Sequence, residues 1–243
     1  MNGSRLELLG LPLDPVSMAE TVAWVAARLK NPAPAQVVTL NPEIVVRAAR
    51  NPELRRALLE AELVTPDGVG ILWAVRRLHG VRLADRVTGV DLTLRLFAEL
   101  GPRLRVYLLG GRPGVAERAA LAAARWGVQV SGTHHGYFDD EEAVVRAVTA
   151  SGANLLLAGL GERQETFLWR NKRALSVPVM IGVGGTLDVL AGEARRMPRW
   201  AQRLGVEWLL RVGLDPKRWP RAARLVRFVV AVEQTRLLPP AKR

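Results

Sequence analysis

The sequence predicts an α/β fold, a mostly parallel sheet with helices on its faces, followed by a basic helical appendage. Three observations carry that expectation. Short apolar runs alternate with helix-period stretches from about residue 37 to residue 185, the pattern of strands joined by crossover helices. Small and polar residues follow directly on those runs, as at LNPE and VTPDGVG. At about Arg195 the alternation stops, and the remainder is rich in arginine and tryptophan with no strand-like run. The expected architecture is therefore Rossmann-like over residues 1–194, with residues 195–243 as a separate helical appendage.

Taken in order, RLELLGLPLD reads as a short strand and a turn, and Ser17 with Glu20 three residues on forms a capping-box signal for a helix. Residues 37–40 and 63–64 are buried strands. Between them lies a helical stretch that Asn51-Pro52 divides in two. A helix follows Asp67 and runs to about Leu78, and RVTGVDLTLRLFAEL supplies a loop and another helix. LRVYLLGG, VQVSG, ANLLLAGLG and VPVMIGVGG are further strands. An alanine-rich helix, EEAVVRAVTASG and GERQETFLWRNKRA lie between them as helices, and THHGYFDD is a polar and aromatic loop.

Composition narrows the function classes. The 243 residues contain no cysteine, which removes disulfides, thiolate metal sites and cysteine nucleophiles, and fits a reducing compartment. The N-terminus lacks a basic region followed by an apolar core, and no 18-residue apolar run occurs, so a cytoplasmic protein is expected. The net charge of +12 is concentrated at one end. Residues 195–243 hold 13 Lys or Arg against Glu207, Asp215 and Glu233, leaving 22 basic and 20 acidic residues for the rest. Such a tail suits an anionic partner, either a membrane surface or nucleic acid, or else forms a solvated helical face.

The motifs carry different weights. LLGGRPG has glycines after a strand but not the GxGxxG spacing, and VQVSG does not end in a ribose-binding acid, so a dinucleotide cofactor is not indicated. His134 and His135 are adjacent, a spacing that tends to send side chains in different directions, and only Asp139 and Asp140 are near in sequence, a poor zinc set. Tyr137 in that loop either stacks on a base, hydrogen-bonds a sugar or merely packs the loop. Asp67-Gly68 opens a helix directly after a strand, where an aspartate serves either as a helix cap or as a catalytic carboxylate at the ligand-binding edge of a parallel sheet. Spacing alone leaves both readings open.

The ordered series VVTLNPEIVVRAARNPELRRAL, VTPDGVG, RVTGVDL, HHGYFD, GLGERQE, GVGGTLDVLAG and RRMPRWAQRLGVEWLLRVGLDPKRWPR resembles the WecG/TagA/CpsF glycosyltransferase family over about residues 5–230. The resemblance implies transfer, with inversion, of an N-acetylmannosamine-type sugar from a UDP donor to polyprenyl-diphosphate-linked N-acetylglucosamine. That step belongs to teichoic acid, common-antigen or exopolysaccharide assembly. It implies Asp67 as the base and Arg86 as a phosphate ligand, with Thr39, Asn41 and Gln164 in the polar pocket and Tyr137 and Asp188 toward the uridine. No metal or other cofactor is implied. Two departures stand out: Glu162-Arg163 replaces an expected Pro-Lys, and the glycine turn reads GGTLD.

In the tail, Lys217, Arg221 and Arg224 fall within about 60° of helix arc. Arg218 and Arg227 flank them, residues 228–232 are apolar, and Trp200, Trp208 and Trp219 add amphipathic anchors. The resemblance implies a membrane-docking element whose arginines help close the active site, on a protein peripheral to the inner face of the cell membrane. A homo-oligomer formed through the tail is a further partner the reading allows. The competing function is a nucleic-acid-binding α/β module, which steeply salt-dependent oligonucleotide binding distinguishes from saturable UDP binding.

Overall fold

A computed structural model describes residues 4–194 and 219–237, the side chains of the latter segment from Ala223 onward. The chain begins with a hairpin rather than one strand: β1 (Leu6–Leu8) pairs antiparallel with β2 (Leu11–Leu13). Leu9 and Gly10, both at positive φ, make the reversal. Helix α1 (Met18–Arg28) starts as its capping box requires, Ser17 Oγ accepting from the Glu20 N–H and the Ser17 N–H donating to Glu20.

Six strands follow: β3 (Ala35–Leu40), β4 (Leu63–Pro66), β5 (Arg105–Gly110), β6 (Gln129–His134), β7 (Leu155–Gly159) and β8 (Val179–Gly182). They form one sheet in the order β4-β3-β8-β7-β5-β6, every neighbouring pair parallel. The expected Rossmann-like class is what the chain adopts. Strand β6 runs past VQVSG into His134 because parallel pairing with Leu109 continues to that residue.

The intervening helices are α2 (Pro42–Ala48), α3 (Pro52–Leu59), α4 (Val69–His79), α5 (Gly89–Leu100), α6 (Val115–Ala124), α7 (Glu141–Ala150), α8 (Gln164–Arg170), α9 (Lys172–Leu175) and α10 (Thr186–Leu190). The break at Asn51-Pro52 is real: Asn51 caps α3, accepting from the Leu54 N–H. The stretch read as one helix from Gly161 is instead a 3₁₀ turn and two short helices, divided at Asn171. The side-chain amide of Asn171 donates to Glu141 and to the Phe167 carbonyl.

Alternate residues of the central strands face opposite layers, as in a doubly covered sheet. Leu155 and Leu157 join α1, α5 and α6 on one face, while Leu156 and Ala158 join α7 and α8 on the other. A third cluster lies around β3 and β4. It contains Leu8, Leu11 and Leu13 of the hairpin, Ile71, Ala74 and Val75 of α4, and two residues from the far end of the chain, Phe228 and Val232. Both are fully buried. They belong to α11 (Trp219–Leu237), which packs on α2 and α4. The edge of β4 is closed by Asp14, whose N–H donates to the Val64 carbonyl while its carboxylate accepts from the Val64 N–H. Arg5 holds that carboxylate through two bonds of 2.9 Å. A paired edge of this kind is shielded from adventitious strand addition.

Candidate active site

The carboxyl ends of β3 and β4 lie side by side, with Thr39 opposite Thr65 and Leu40 opposite Pro66. Each strand ends where proline enters. Asn41 caps α2, its side-chain oxygen accepting from the Ile44 N–H at 3.0 Å, with Pro42 in the first turn. This spends the amide oxygen of Asn41 on the helix. Thr39, almost fully buried, donates from Oγ1 to the Gly182 carbonyl at 3.3 Å. It therefore ties β3 to the end of β8.

Asp67 comes immediately after β4, its N–H donating to the Leu40 carbonyl at 2.8 Å. The N-cap position of α4 is occupied by Gly68, at φ 84° and ψ 155°, so Asp67 precedes the cap residue. Helices α2 and α4 meet closely at their N-termini: a β-carbon at Gly70 would sit 2.7 Å from Pro42 Cγ. Asn41-Pro42 and residues 67–70 are thereby neighbours. Arg86 arrives on the loop before α5. The adjacent Val87 donates its N–H to the Pro66 carbonyl at 2.6 Å and accepts from Thr65 Oγ1 at 3.5 Å. The backbone thus holds Asp67 and Arg86 at the same end of β4, and both side chains are half-buried.

The other expected site residues sit on the adjoining strand ends. Gln164 is buried at the start of α8 and has both ends of its amide engaged. Its oxygen accepts from the Gly184 N–H at 3.0 Å, and its nitrogen donates to Glu165 at 2.7 Å. It is a brace for the turn after β8. Asp188 lies in the first turn of α10, directly beyond that turn, and its carbonyl accepts from the N–H groups of Glu193 and Ala194. Tyr137 is 69% exposed on the loop after β6. That loop folds back over the sheet, since Gly136 donates to the Gly111 carbonyl and accepts from Arg163 at 2.6 Å. The Arg163 guanidinium also lies 4.2 Å from the Phe138 ring centre. Between these loops the backbones are in contact, because a β-carbon at Gly159 would lie 2.6 Å from the Gly184 carbonyl oxygen. The floor between β7 and β8 is bare main chain.

Of the tail residues, Arg224 is described fully. Its guanidinium pairs with Glu43 of α2 and with Glu162, the latter at 2.7 Å. The glutamate that departs from the expected Pro-Lys is thus the residue that receives α11. Glu162 is the chief reason that Arg224 titrates above its ordinary range. Arg47 also pairs with Glu162, at 3.6 Å. Arg221 lies in α11 with its side chain outside the described atoms, and the same holds for Trp219. Lys217, Arg218, Trp200 and Trp208 fall outside the described residues.

Sequence reasoning missed Gln36, Glu43, Glu162 and Glu165 as contributors. The signal for Glu162 was present in its departure from the expected pair. Gln36 and Glu165 gave none, because their encounter joins residues 129 positions apart.

A carboxylate, an arginine and bare backbone gathered at the strand ends of a parallel sheet form the kind of edge at which α/β enzymes bind their ligands. The sequence model described as the Glycosyl transferase WecG/TagA/CpsF family matches residues 6–242. The chain belongs to that family and is accordingly a glycosyltransferase of cell-surface polysaccharide synthesis. Membership implies a sugar-nucleotide donor and a lipid-linked acceptor in general terms. Among the described residues no helix is long and apolar enough to cross a membrane.

Proposed function

We propose that the chain is an inverting glycosyltransferase that moves N-acetylmannosamine, or a closely related sugar, from a UDP donor to undecaprenyl-diphosphate-linked N-acetylglucosamine. It would act at the inner face of the membrane, in teichoic acid or exopolysaccharide assembly. The observation that carries the reading is the joint position of Asp67 and the Arg86 loop at the end of β4, with Gly68 rather than Asp67 in the cap position of α4. An aspartate one residue before the cap, at the carboxyl end of a parallel strand, stands where α/β enzymes place groups for proton chemistry.

In the proposed step the acceptor hydroxyl oxygen bonds to the anomeric carbon as the bond from that carbon to the diphosphate oxygen breaks. Asp67 takes the hydroxyl proton, and UDP departs with the electron pair. Arg86 and backbone N–H groups at the strand ends meet the growing charge on the diphosphate. Asn41 and Thr39 shape the pocket beside the base, while Asp188 and Tyr137 serve the uridine end. The step is written without a divalent metal, and chelation by EDTA is expected to leave turnover unchanged. The basic tail supports attachment to an anionic leaflet at about 1 kcal/mol per lysine or arginine near the surface.

Asp67→Asn tests the reading. Turnover with lipid-linked acceptor should fall by about 10²- to 10⁴-fold, while UDP affinity stays within a few fold. Unchanged turnover in this variant removes Asp67 from the role of base.

A further inference from the structure

Glu165 is a charged residue type at a place that solvent does not reach. It is 2% exposed in the first turn of α8. Its Oε1 accepts from Gln164 Nε2 at 2.7 Å, and its main-chain carbonyl accepts from Gln36 Nε2 at 3.0 Å. Among the described residues, three buried side-chain polar atoms lack a hydrogen-bond partner, and two of them, Glu165 Oε2 and Gln36 Oε1, belong to this cluster. Both are acceptors facing a shortage of donors, which a proton on Oε2 relieves.

The surrounding charges do not neutralise a carboxylate there. Arg47 and Glu43 of α2 face Glu165 and act in opposite senses. Arg47 is already paired with Glu162, and Glu43 with Arg224. Strands β3 and β8 bring no charge. On α3, Glu53 pairs with Arg170, Arg55 lies against Gly10, and Arg56 is exposed. Arg163 turns to Gly136, Lys172 of α9 pairs with Glu62, and Arg173 is exposed. Burial accordingly pushes the Glu165 carboxyl up to about 7.

The cluster ends at the site. Gln164, held by Glu165, accepts the Gly184 N–H in the turn after β8, and Thr39 donates to the carbonyl of Gly182 in the same segment. We propose that Glu165 is a positioning residue of the transfer site: as a neutral acid it holds Gln164, and through Gln164 it sets the Gly184 turn against which the donor binds. A carboxylate in its place draws water or Arg47 inward, and Gln164 shifts with it. The link from turn to donor rests on the donor assignment above; the link from Glu165 to the turn does not.

The test compares the full-length protein with Glu165→Gln, a neutral isostere that keeps an acceptor and adds a donor, and with Glu165→Leu, which removes both. The first readout is the exchange protection of the Gly184 amide at pH 6 and pH 8.5, corrected for the intrinsic rate. In the unsubstituted protein, protection should fall on the order of tenfold between the two pH values. Glu165→Gln should hold the pH 6 value at both, and Glu165→Leu should be low at both. The second readout is calorimetric affinity for UDP-N-acetylmannosamine, whose diphosphate has no ionisation near neutrality; it should follow the same pattern. A pH-dependent fall retained in Glu165→Gln, or full protection in Glu165→Leu, overturns the proposal. Should Glu165→Leu fail to fold, Glu165→Gln decides alone. Absence of donor binding at every pH sinks the donor assignment, and the Gly184 amide still decides the role of Glu165.

Discussion

Arg224 of α11 is bound to Glu162 at the carboxyl end of β7, Nη1 to Oε1 at 2.7 Å, and to Glu43 at the start of α2. One guanidinium therefore joins the first turn of α2 to the turn after β7. Glu162 is 61% exposed on its side chain, so the pair is screened by solvent and salt. Replacing Arg224 with Ala is expected to cost less than about 1 kcal/mol in global stability. Amide exchange in the first turns of α11 should nevertheless quicken, and more so at low salt, where the pair is strongest.

Phe228 is the anchor of the same helix. Fully buried among residues from the hairpin, α2 and α4, it should lose about 3–5 kcal/mol on replacement by Ala. Val229, next in sequence and 44% exposed, should change stability by about 0.5 kcal/mol or less on the same replacement. Urea denaturation of the two variants checks the contrast.

The bare floor between β7 and β8 makes Gly159 sensitive to a single methyl group. Its β-carbon would be pressed to 2.6 Å from the Gly184 carbonyl, which is backbone and gives way only if the turn moves. Gly159→Ala should lower UDP affinity on the order of tenfold, a loss of about 1.4 kcal/mol. Calorimetry with UDP measures it.

A pH dependence of stability follows from Glu165. Its folded value of about 7 stands above the ordinary glutamate value of 4.5, so between these values the folded chain keeps a proton that the unfolded chain has released. Stability from this group is full below about pH 4.5, declines as pH rises, and is lost above about 7; the window is worth roughly 3 kcal/mol. Denaturant midpoints from pH 5 to pH 8 should show the decline, and Glu165→Gln should flatten it.

Membrane attachment is best tested without removing the helix, since deletion of residues 195–243 would strip Phe228 and Val232 from the core and uncover Ile71 and Ala74. Val226 and Val230 of α11 are 64% and 48% exposed. With Arg227 they form an outward strip on which acidic substitutions should weaken sedimentation with anionic vesicles. The double variant Val226→Glu/Val230→Glu should keep the denaturant midpoint, and unchanged vesicle binding would dissociate this strip from attachment.

The unit from β3 to β4 was readable because each strand is a short apolar run closed by proline and polar residues, and both caps, Asn41 and Asn51, use local bonds. The pairing of β3 with β8 was not readable, since it joins Val38 to Gly182 across almost the entire body. Asp67 could be singled out by its place after a strand, but that Gly68 takes the N-cap position of α4 could not be read from spacing. Glu165 looked like an ordinary acid in the first turn of a helix. Only the sheet above it, with Gln36 pointing down, makes it a buried acid.

The third apolar cluster draws on the first fourteen residues and on a helix that begins at Trp219. During synthesis, the hairpin, α2 and α4 are all made well before Phe228, the residue that closes their cluster. The apolar support of the edge that ends in Asp67 is therefore completed last, so a nascent or prematurely terminated chain would carry the sheet with that edge unsupported.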